Sequence, residues 1–182
     1  MPYAMDIPDG AHEVLAAWQT NPAVVAALAR ADWKAAFSDY PYLEVTDTPP
    51  FTPFTKPLAS AKIAVVTTGG IYIDGQQPAF DAANPLGDAT IRYIPIDTPY
   101  SRLKIAHDHY DHTAPNQDLS TINPVQNLRI LCDEGLFRTL ANPLISAHGY
   151  IPLWPQIFDQ LIPAVIESLH QSQPDGVLLV PV

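Results

Sequence analysis

Short apolar runs alternate with amphipathic segments over the last two thirds of the chain, and this alternation constrains the fold more than any other feature. The candidate strands are residues 61–67, 90–96, 144–147 and 176–182, and the candidate helices lie within residues 124–140 and 155–171. Short, continuously apolar runs are typical of strands buried on both faces of a parallel sheet. The sequence therefore predicts an α/β domain with a mainly parallel sheet flanked by helices, a three-layer arrangement of the Rossmann or flavodoxin type.

The first third of the chain has a different pattern. A helix is predicted over residues 11–19, and Asn21 followed by Pro22 predicts the start of a second helix, because Asn caps free amides and Pro suits the first helical position. Five prolines then fall within residues 40–58, a density that excludes a regular helix or a central strand. We therefore predict a helical extension and proline-rich connector over residues 1–58 and the α/β domain over residues 59–182.

Charge and cysteine content exclude several classes of function. The net charge is -10 with only nine Lys and Arg residues, which argues against binding to nucleic acid or to an anionic membrane surface. No apolar run approaches the roughly 20 residues that span a bilayer, and the N-terminus lacks the pattern of a secretory signal. A lone cysteine, Cys132, cannot form an internal disulfide, so a reducing cytoplasm is expected.

Candidate ligand-binding residues follow directly after the predicted strands. Thr68, Gly69 and Gly70 follow the first strand, and His148 follows the strand at residues 144–147. Ligands of open α/β sheets bind outside the carboxyl ends of the strands, and paired glycines permit a close approach there. We expect these residues to line a pocket, with the histidine-rich segment 104–112 as its lid.

That segment concentrates groups that bind metals and move protons near neutral pH. His107, His109, Asp111 and His112 could together hold a divalent metal ion. The pattern His-x-His-x-Asp-His resembles the metal-binding signature of the metallo-β-lactamase superfamily. That resemblance implies a metal-dependent hydrolase in which a metal-bound hydroxide attacks the substrate.

A second resemblance covers residues 62–182. It is carried in order by residues 64–71, Gly87-Asp88 with Arg92, His107-x-x-Tyr110-Asp111, Asp118, Asn123-Pro124, residues 128–135 and residues 175–179. This succession resembles selenoprotein B, the B component of glycine, sarcosine, betaine and D-proline reductases. The resemblance implies an oxidoreductase component that cleaves the C–N bond of a small amino acid or amine.

The reductase resemblance also implies roles for individual residues. His107, Tyr110 and Asp111 would act in catalysis, and the substrate would contact the remaining candidates, which are Thr68, Gly69, Gly70, Arg92, Asp118 and His148. In the family, the strand matching residues 176–180 leads into a turn that bears selenocysteine or cysteine. We therefore expect selenocysteine after Val182 in a full-length form, and we expect this chain, cut before that residue, to be inactive by itself.

The same resemblance implies a partner. A pyruvoyl-bearing subunit would hold the amine of the substrate, and a homo-oligomer is compatible with the sequence. A non-catalytic binding subunit that keeps the pocket without its nucleophile is a third hypothesis, beside the reductase component and the hydrolase.

Overall fold

A computed structural model describes residues 9–43 and 52–182. Contacts between Cα atoms divide the chain into two units, Met1–Pro53 and Phe54–Val182. The division falls within the predicted proline-rich stretch, of which residues 44–51 lie outside the described part of the chain.

The N-terminal unit contains three helices, α1 (Ala11–Thr20), α2 (Pro22–Ala29) and α3 (Trp33–Ala36). As predicted, Asn21 caps α2, and its side chain accepts the N–H of Ala23 at 2.9 Å. Trp18 is buried and donates its ring N–H to the carbonyl of Ala36 at 2.8 Å. The predicted helical extension is therefore confirmed.

The second unit contains the sheet. Its strands are β1 (Lys62–Thr67), β2 (Ile71–Ile73), β3 (Ile91–Ile94), β4 (Leu103–Ile105), β5 (Thr139–Leu140), β6 (Leu144–Ala147) and β7 (Gly176–Val180). Its helices are α4 (Thr113–Gln117), α5 (Val125–Asp133), α6 (Trp154–Gln156) and α7 (Ile162–Ser172), and a π-helical segment, Ile157–Leu161, joins the last two.

Strand β1 is the centre of the main sheet. It pairs in parallel with β7 along one edge, and along the other edge with β5 near its start and β6 near its end. Strand β3 adds to β6 in the antiparallel direction, and β2 and β4 form a separate antiparallel pair. The predicted fold class, α/β with a mainly parallel sheet and flanking helices, is confirmed.

The core follows from the position of β1. Paired on both sides, this strand buries residues 64–67, as expected for a strand enclosed by the sheet. Residues from several elements pack into one apolar cluster, with Val65, Ile71, Ile94, Val125 and Leu144 among its buried members. Burial of such side chains stabilises the fold by roughly 1.5–3 kcal/mol each.

The last strand departs from the sequence prediction. Residues 176–182 were expected to form a buried strand, yet Leu179 of β7 is 66% exposed and Val177 is 41% exposed. In the described part of the chain, β7 pairs only with β1, so its outer edge is open. An apolar run cannot by its composition distinguish a central strand from an edge strand.

None of the helices in residues 9–43 and 52–182 combines the length and the apolar character needed to cross a membrane.

Candidate functional site

The carboxyl ends of three parallel strands meet at one edge of the sheet. Thr68 and Gly69 follow β1, His148 follows β6, and Val182 lies beyond the end of β7. Gly69 and His148 form an isolated antiparallel bridge, and the N–H of Val182 donates to Thr68 Oγ1 at 3.0 Å. Parallel pairing with β1 is what brings residues from distant parts of the sequence to this edge.

Gly70 ties the histidine-rich segment to the sheet. Its N–H donates to the Ala147 carbonyl at 2.9 Å, and its own carbonyl accepts the Ala106 N–H at 2.9 Å. Its φ is +66°, and a Cβ at this position would lie 2.7 Å from the Ala106 carbonyl oxygen. Only glycine therefore permits this approach, which sets His107 against the end of the sheet.

His107 and His148 form a buried, stacked pair. Their ring centroids are 3.9 Å apart with planes inclined by 13°, and the residues are 2% and 1% exposed. His148 Nδ1 lies 2.9 Å from the Tyr150 carbonyl, which can only accept, so this nitrogen carries the proton. The Nε2 atom of His107 accepts the Gly149 N–H at 3.1 Å, and its Nδ1 faces the His109 N–H at 3.2 Å.

Two further aromatic side chains complete the site. His109 stacks on the Tyr150 ring with centroids 3.8 Å apart. Tyr110 packs edge-on against His107 at 4.8 Å and donates its hydroxyl to the Gly69 carbonyl at 3.1 Å. The segment is thereby fixed both to β1 and to the residues that follow β6.

Burial keeps His107 and Tyr110 neutral at physiological pH because it shifts the pKa of each away from 7. Burial, together with the neighbouring rings of His148, His109 and His112, lowers the pKa of His107 to about 3. Burial and the His148 ring also lower the pKa of His109, against an opposing effect of Asp108. Burial raises the pKa of Tyr110 to about 12.

Three imidazoles of the site could hold a metal ion. His107, His109 and His148 each offer one nitrogen, and the three nitrogens lie within 4.8 Å of one another. The sequence had grouped His107 and His109 with Asp111 and His112 instead. In the structure Asp111 is exposed and binds Thr113 through the backbone N–H, at 2.8 Å, and the hydroxyl. The ring of His112 packs against Tyr110 at 4.5 Å.

Asp118 and Arg92, the remaining predicted substrate-binding residues, are engaged in local structure. Asp118 accepts the Ser120 N–H at 2.8 Å and so caps a 3-10 turn. Arg92 donates to the carbonyls of Pro78, at 2.8 Å, and Ala79, at 3.1 Å. Its guanidinium lies 4.2 Å from the centroid of the Phe80 ring, which in turn packs against His148 at 6.1 Å. Arg92 thus supports His148 indirectly.

Asp88 anchors the loop that carries Phe80. It accepts the N–H groups of Asp81, at 3.0 Å, and Thr90, at 2.8 Å, and lies 3.9 Å from Arg92. Burial alone would raise the pKa of Asp88, but the bonds from Thr90 and Asp81 and the charge of Arg92 hold it below its ordinary value. Because the pKa of Asp88 is lower in the folded state than in the unfolded state, its ionised form stabilises the fold at any pH above the unfolded-state pKa. This stabilisation is lost as the pH falls through the folded-state pKa.

We therefore expect Asp88→Asn to lower the free energy of unfolding at pH 7 by about 1–2 kcal/mol. The difference from wild type should shrink as the pH falls below about 4. Urea unfolding at several pH values measures this difference in the free energy of unfolding. Asp81→Asn is the control, because it removes an exposed carboxylate. A difference that stays constant between pH 7 and pH 3 would contradict the prediction.

Several residues of the site were missed by the sequence analysis. Tyr150 supplies both a stacking ring for His109 and the carbonyl that orients His148. Phe80 lies against His148, and the N–H of Gly149 contacts His107. For Tyr150 and Gly149 a signal existed, because both directly follow His148 at a strand end. Phe80 lies in a loop without periodicity, and no sequence pattern marks it.

Comparisons with known proteins give matches at the level of sequence. The family model described as glycine/sarcosine/betaine reductase selenoprotein B matches residues 17–180. The D-proline reductase subunit gamma of Acetoanaerobium sticklandii is 28% identical over 138 residues, which cover 76% of this chain and 55% of that protein. The chain thus spans about half the length of this curated relative. No solved structure matches.

Proposed function

Because the chain belongs to the glycine/sarcosine/betaine reductase selenoprotein B family, we propose that it is part of a reductase that cleaves the C–N bond of a small amino acid or amine. The relative from Acetoanaerobium sticklandii is a D-proline reductase subunit, which is a reductase of the same kind. Family membership favours this function over the metal-dependent hydrolase suggested by the His-x-His-x-Asp-His pattern.

The observation that carries the proposal is the convergence of β1, β6 and β7. Val182 donates its N–H to Thr68 Oγ1, and the Thr68 N–H donates to the Val180 carbonyl at 3.1 Å, so the end of β7 is bound to the end of β1. A residue that follows Val182 would leave the strand beside Thr68 and the buried histidines. We propose that this residue is the selenocysteine or cysteine of the full-length form, whose nucleophile would displace the amine.

The residues of this chain have positioning roles in the proposal. Thr68 fixes the exit of β7, and Gly70, which has no side chain, lets Ala106 and His107 approach the end of β1 closely. His107 has a pKa of about 3 and Tyr110 a pKa of about 12, so neither changes its protonation state near pH 7. We propose that these two orient the segment 107–112, and that Asp111, bound to Thr113, shapes its turn.

The proposed reaction needs further components. A pyruvoyl-bearing subunit would hold the substrate amine, and a dithiol would supply the two electrons that the reductive cleavage consumes. A homo-oligomer and a cytoplasmic location remain predictions from the sequence. We expect the substrate to be among glycine, sarcosine, betaine and D-proline, the compounds in the names of the matched family and relative.

Reconstitution tests the proposal. The gene product, together with any residues encoded after Val182, is co-purified with the pyruvoyl-bearing subunit of a reductase of this family and assayed with dithiothreitol for release of amine or of the ring-opened product. We expect turnover of one of the four substrates. Absence of both a stable complex and turnover with all four would refute the proposal.

The variant Thr68→Val sharpens this test. It removes the hydroxyl that accepts the Val182 N–H, so the nucleophile should be misplaced while the complex still forms. Loss of one such hydrogen bond predicts a fall in kcat of roughly tenfold. Thr55→Val, an exposed substitution in the same unit, should leave kcat unchanged. Equal rates for both variants would contradict the role given to Thr68.

A further inference from the structure

The histidine cluster at the strand ends has the donor set of a transition-metal site. We propose that His107, His109 and His148 bind a divalent transition-metal ion such as Zn²⁺, for which Co²⁺ can serve as a spectroscopic probe. The three nitrogens lie within 4.8 Å of one another, and rotation of the stacked His107 and His148 rings out of parallel would direct them at a shared ion. This inference does not depend on the proposed reductase function.

The strongest evidence for a bound metal ion comes from His148. Its Nδ1–H donates to the Tyr150 carbonyl, so its Nε2 atom keeps a lone pair. That atom is buried and has no hydrogen-bond partner, while the residue as a whole is only 1% exposed. A buried unpaired acceptor costs about 1–3 kcal/mol. A ring held by a backbone carbonyl with its other nitrogen free is the usual arrangement of a histidine that binds a metal.

His107 is held in the form that binds metals. Both of its ring nitrogens face backbone N–H groups, those of Gly149 and His109. An imidazolium has no acceptor to offer these amides, whereas a neutral imidazole offers one lone pair. A metal would take this one lone pair and displace the amide that it accepts, and the ring must turn so that the protonated nitrogen no longer faces the other amide.

The surroundings favour particular metals. The ring of Tyr150 stacks on His109, and that of Phe80 lies against His148, which restricts both imidazoles. Within the described residues the cluster contains imidazoles alone, a set that suits Zn²⁺, Co²⁺, Ni²⁺ or Cu²⁺ and disfavours Mg²⁺ and Ca²⁺. Three protein ligands leave a fourth position for water or another small molecule.

Titration with Co²⁺ and Zn²⁺ tests the site directly. The protein is stripped with a chelator, and metal binding is followed by the visible absorption of Co²⁺, by calorimetry with Zn²⁺ and by elemental analysis after dialysis. We expect one ion per chain and a Co²⁺ spectrum typical of four-coordinate geometry. A Kd weaker than about 1 mM for both metals would overturn the proposal.

Single variants identify the ligands. His148→Gln should weaken Zn²⁺ binding by roughly 100-fold or more, while thermal unfolding of the metal-free protein shows whether the variant still folds. His109→Gln gives a second, less buried test of the same set. His170→Ala, an exposed histidine of α7, should bind as wild type does.

The variant His112→Ala distinguishes two possible ligand sets, the three-histidine cluster of the structure and the His-x-His-x-Asp-His pattern of the sequence. His112 belongs to the pattern His-x-His-x-Asp-His but not to the three-histidine cluster, so it should retain wild-type affinity. If His112→Ala abolishes binding while folded His148→Gln and His109→Gln retain it, the proposed ligand set is wrong.

Discussion

Replacing Gly87 by alanine is expected to lower the free energy of unfolding of the α/β unit by about 2–5 kcal/mol. Gly87 has a φ of +82°, and a Cβ there would lie 2.2 Å from the Tyr150 carbonyl oxygen and 2.9 Å from Ile151 Cα. Both atoms belong to the backbone, so no side-chain rotation can relieve the overlap. The positive φ costs an alanine about 1–2 kcal/mol, and overpacking adds about 1–3 kcal/mol.

Gly135 provides a matched control for this prediction. Its φ is also +82°, but a Cβ there would meet no atom within 4 Å. Gly135→Ala should therefore cost only the backbone strain of about 1–2 kcal/mol. Urea unfolding followed by circular dichroism, with hydrogen exchange of β1 to report on the α/β unit, measures both variants. Equal losses for both would show that the contact with Tyr150 is unimportant.

The effect of Gly87→Ala should extend to the histidine site. The Tyr150 carbonyl that Gly87 approaches is the one that holds His148 Nδ1. Displacement of this carbonyl would release the His148 ring, although the two residues lie far apart in sequence. Close backbone packing therefore links the loop of residues 76–88 to the site, in addition to the contact of the Phe80 ring with His148.

The sheet was largely predictable because its signal is local. Residues 61–67 and 144–147 are apolar throughout, and the observed strands Lys62–Thr67 and Leu144–Ala147 are the two that pair at the centre of the site. The exposure of β7 was not predictable, because its composition matches that of β1. Only pairing partners determine which of two apolar strands lies at an edge.

The sequence predicts where the candidate site lies, but it does not predict which side chains of the site contact one another. The strand ends and the histidine segment were recognised from residue types and from the rule for α/β sheets. The stacking of His107 on His148 joins residues that are distant in sequence, so no local pattern encodes it. Asp111 looked like a ligand by spacing, but its short-range bonds to Thr113 compete for the carboxylate.

The turn that follows β1, at Thr68 and Gly69, depends on the buried polar residue Thr67. It is fully buried at the end of β1, where its hydroxyl donates to the Ile122 carbonyl at 2.8 Å and accepts the Gly69 N–H at 3.2 Å. One side chain therefore satisfies two backbone groups that water cannot reach. Gly69 in turn presents its carbonyl to the Tyr110 hydroxyl.

We expect Thr67→Val to lower the free energy of unfolding by about 2–6 kcal/mol, because valine keeps the shape of threonine but leaves both backbone groups unpaired, at about 1–3 kcal/mol each. Thr67→Ser is the matched control, since it keeps the hydroxyl and loses one methyl group, worth about 1 kcal/mol. Hydrogen exchange of the Gly69 amide should be faster in Thr67→Val and nearly unchanged in Thr67→Ser. A valine variant as stable as the serine variant would mean that the hydroxyl does not hold the turn, and that packing against β1 alone determines the position of Gly69.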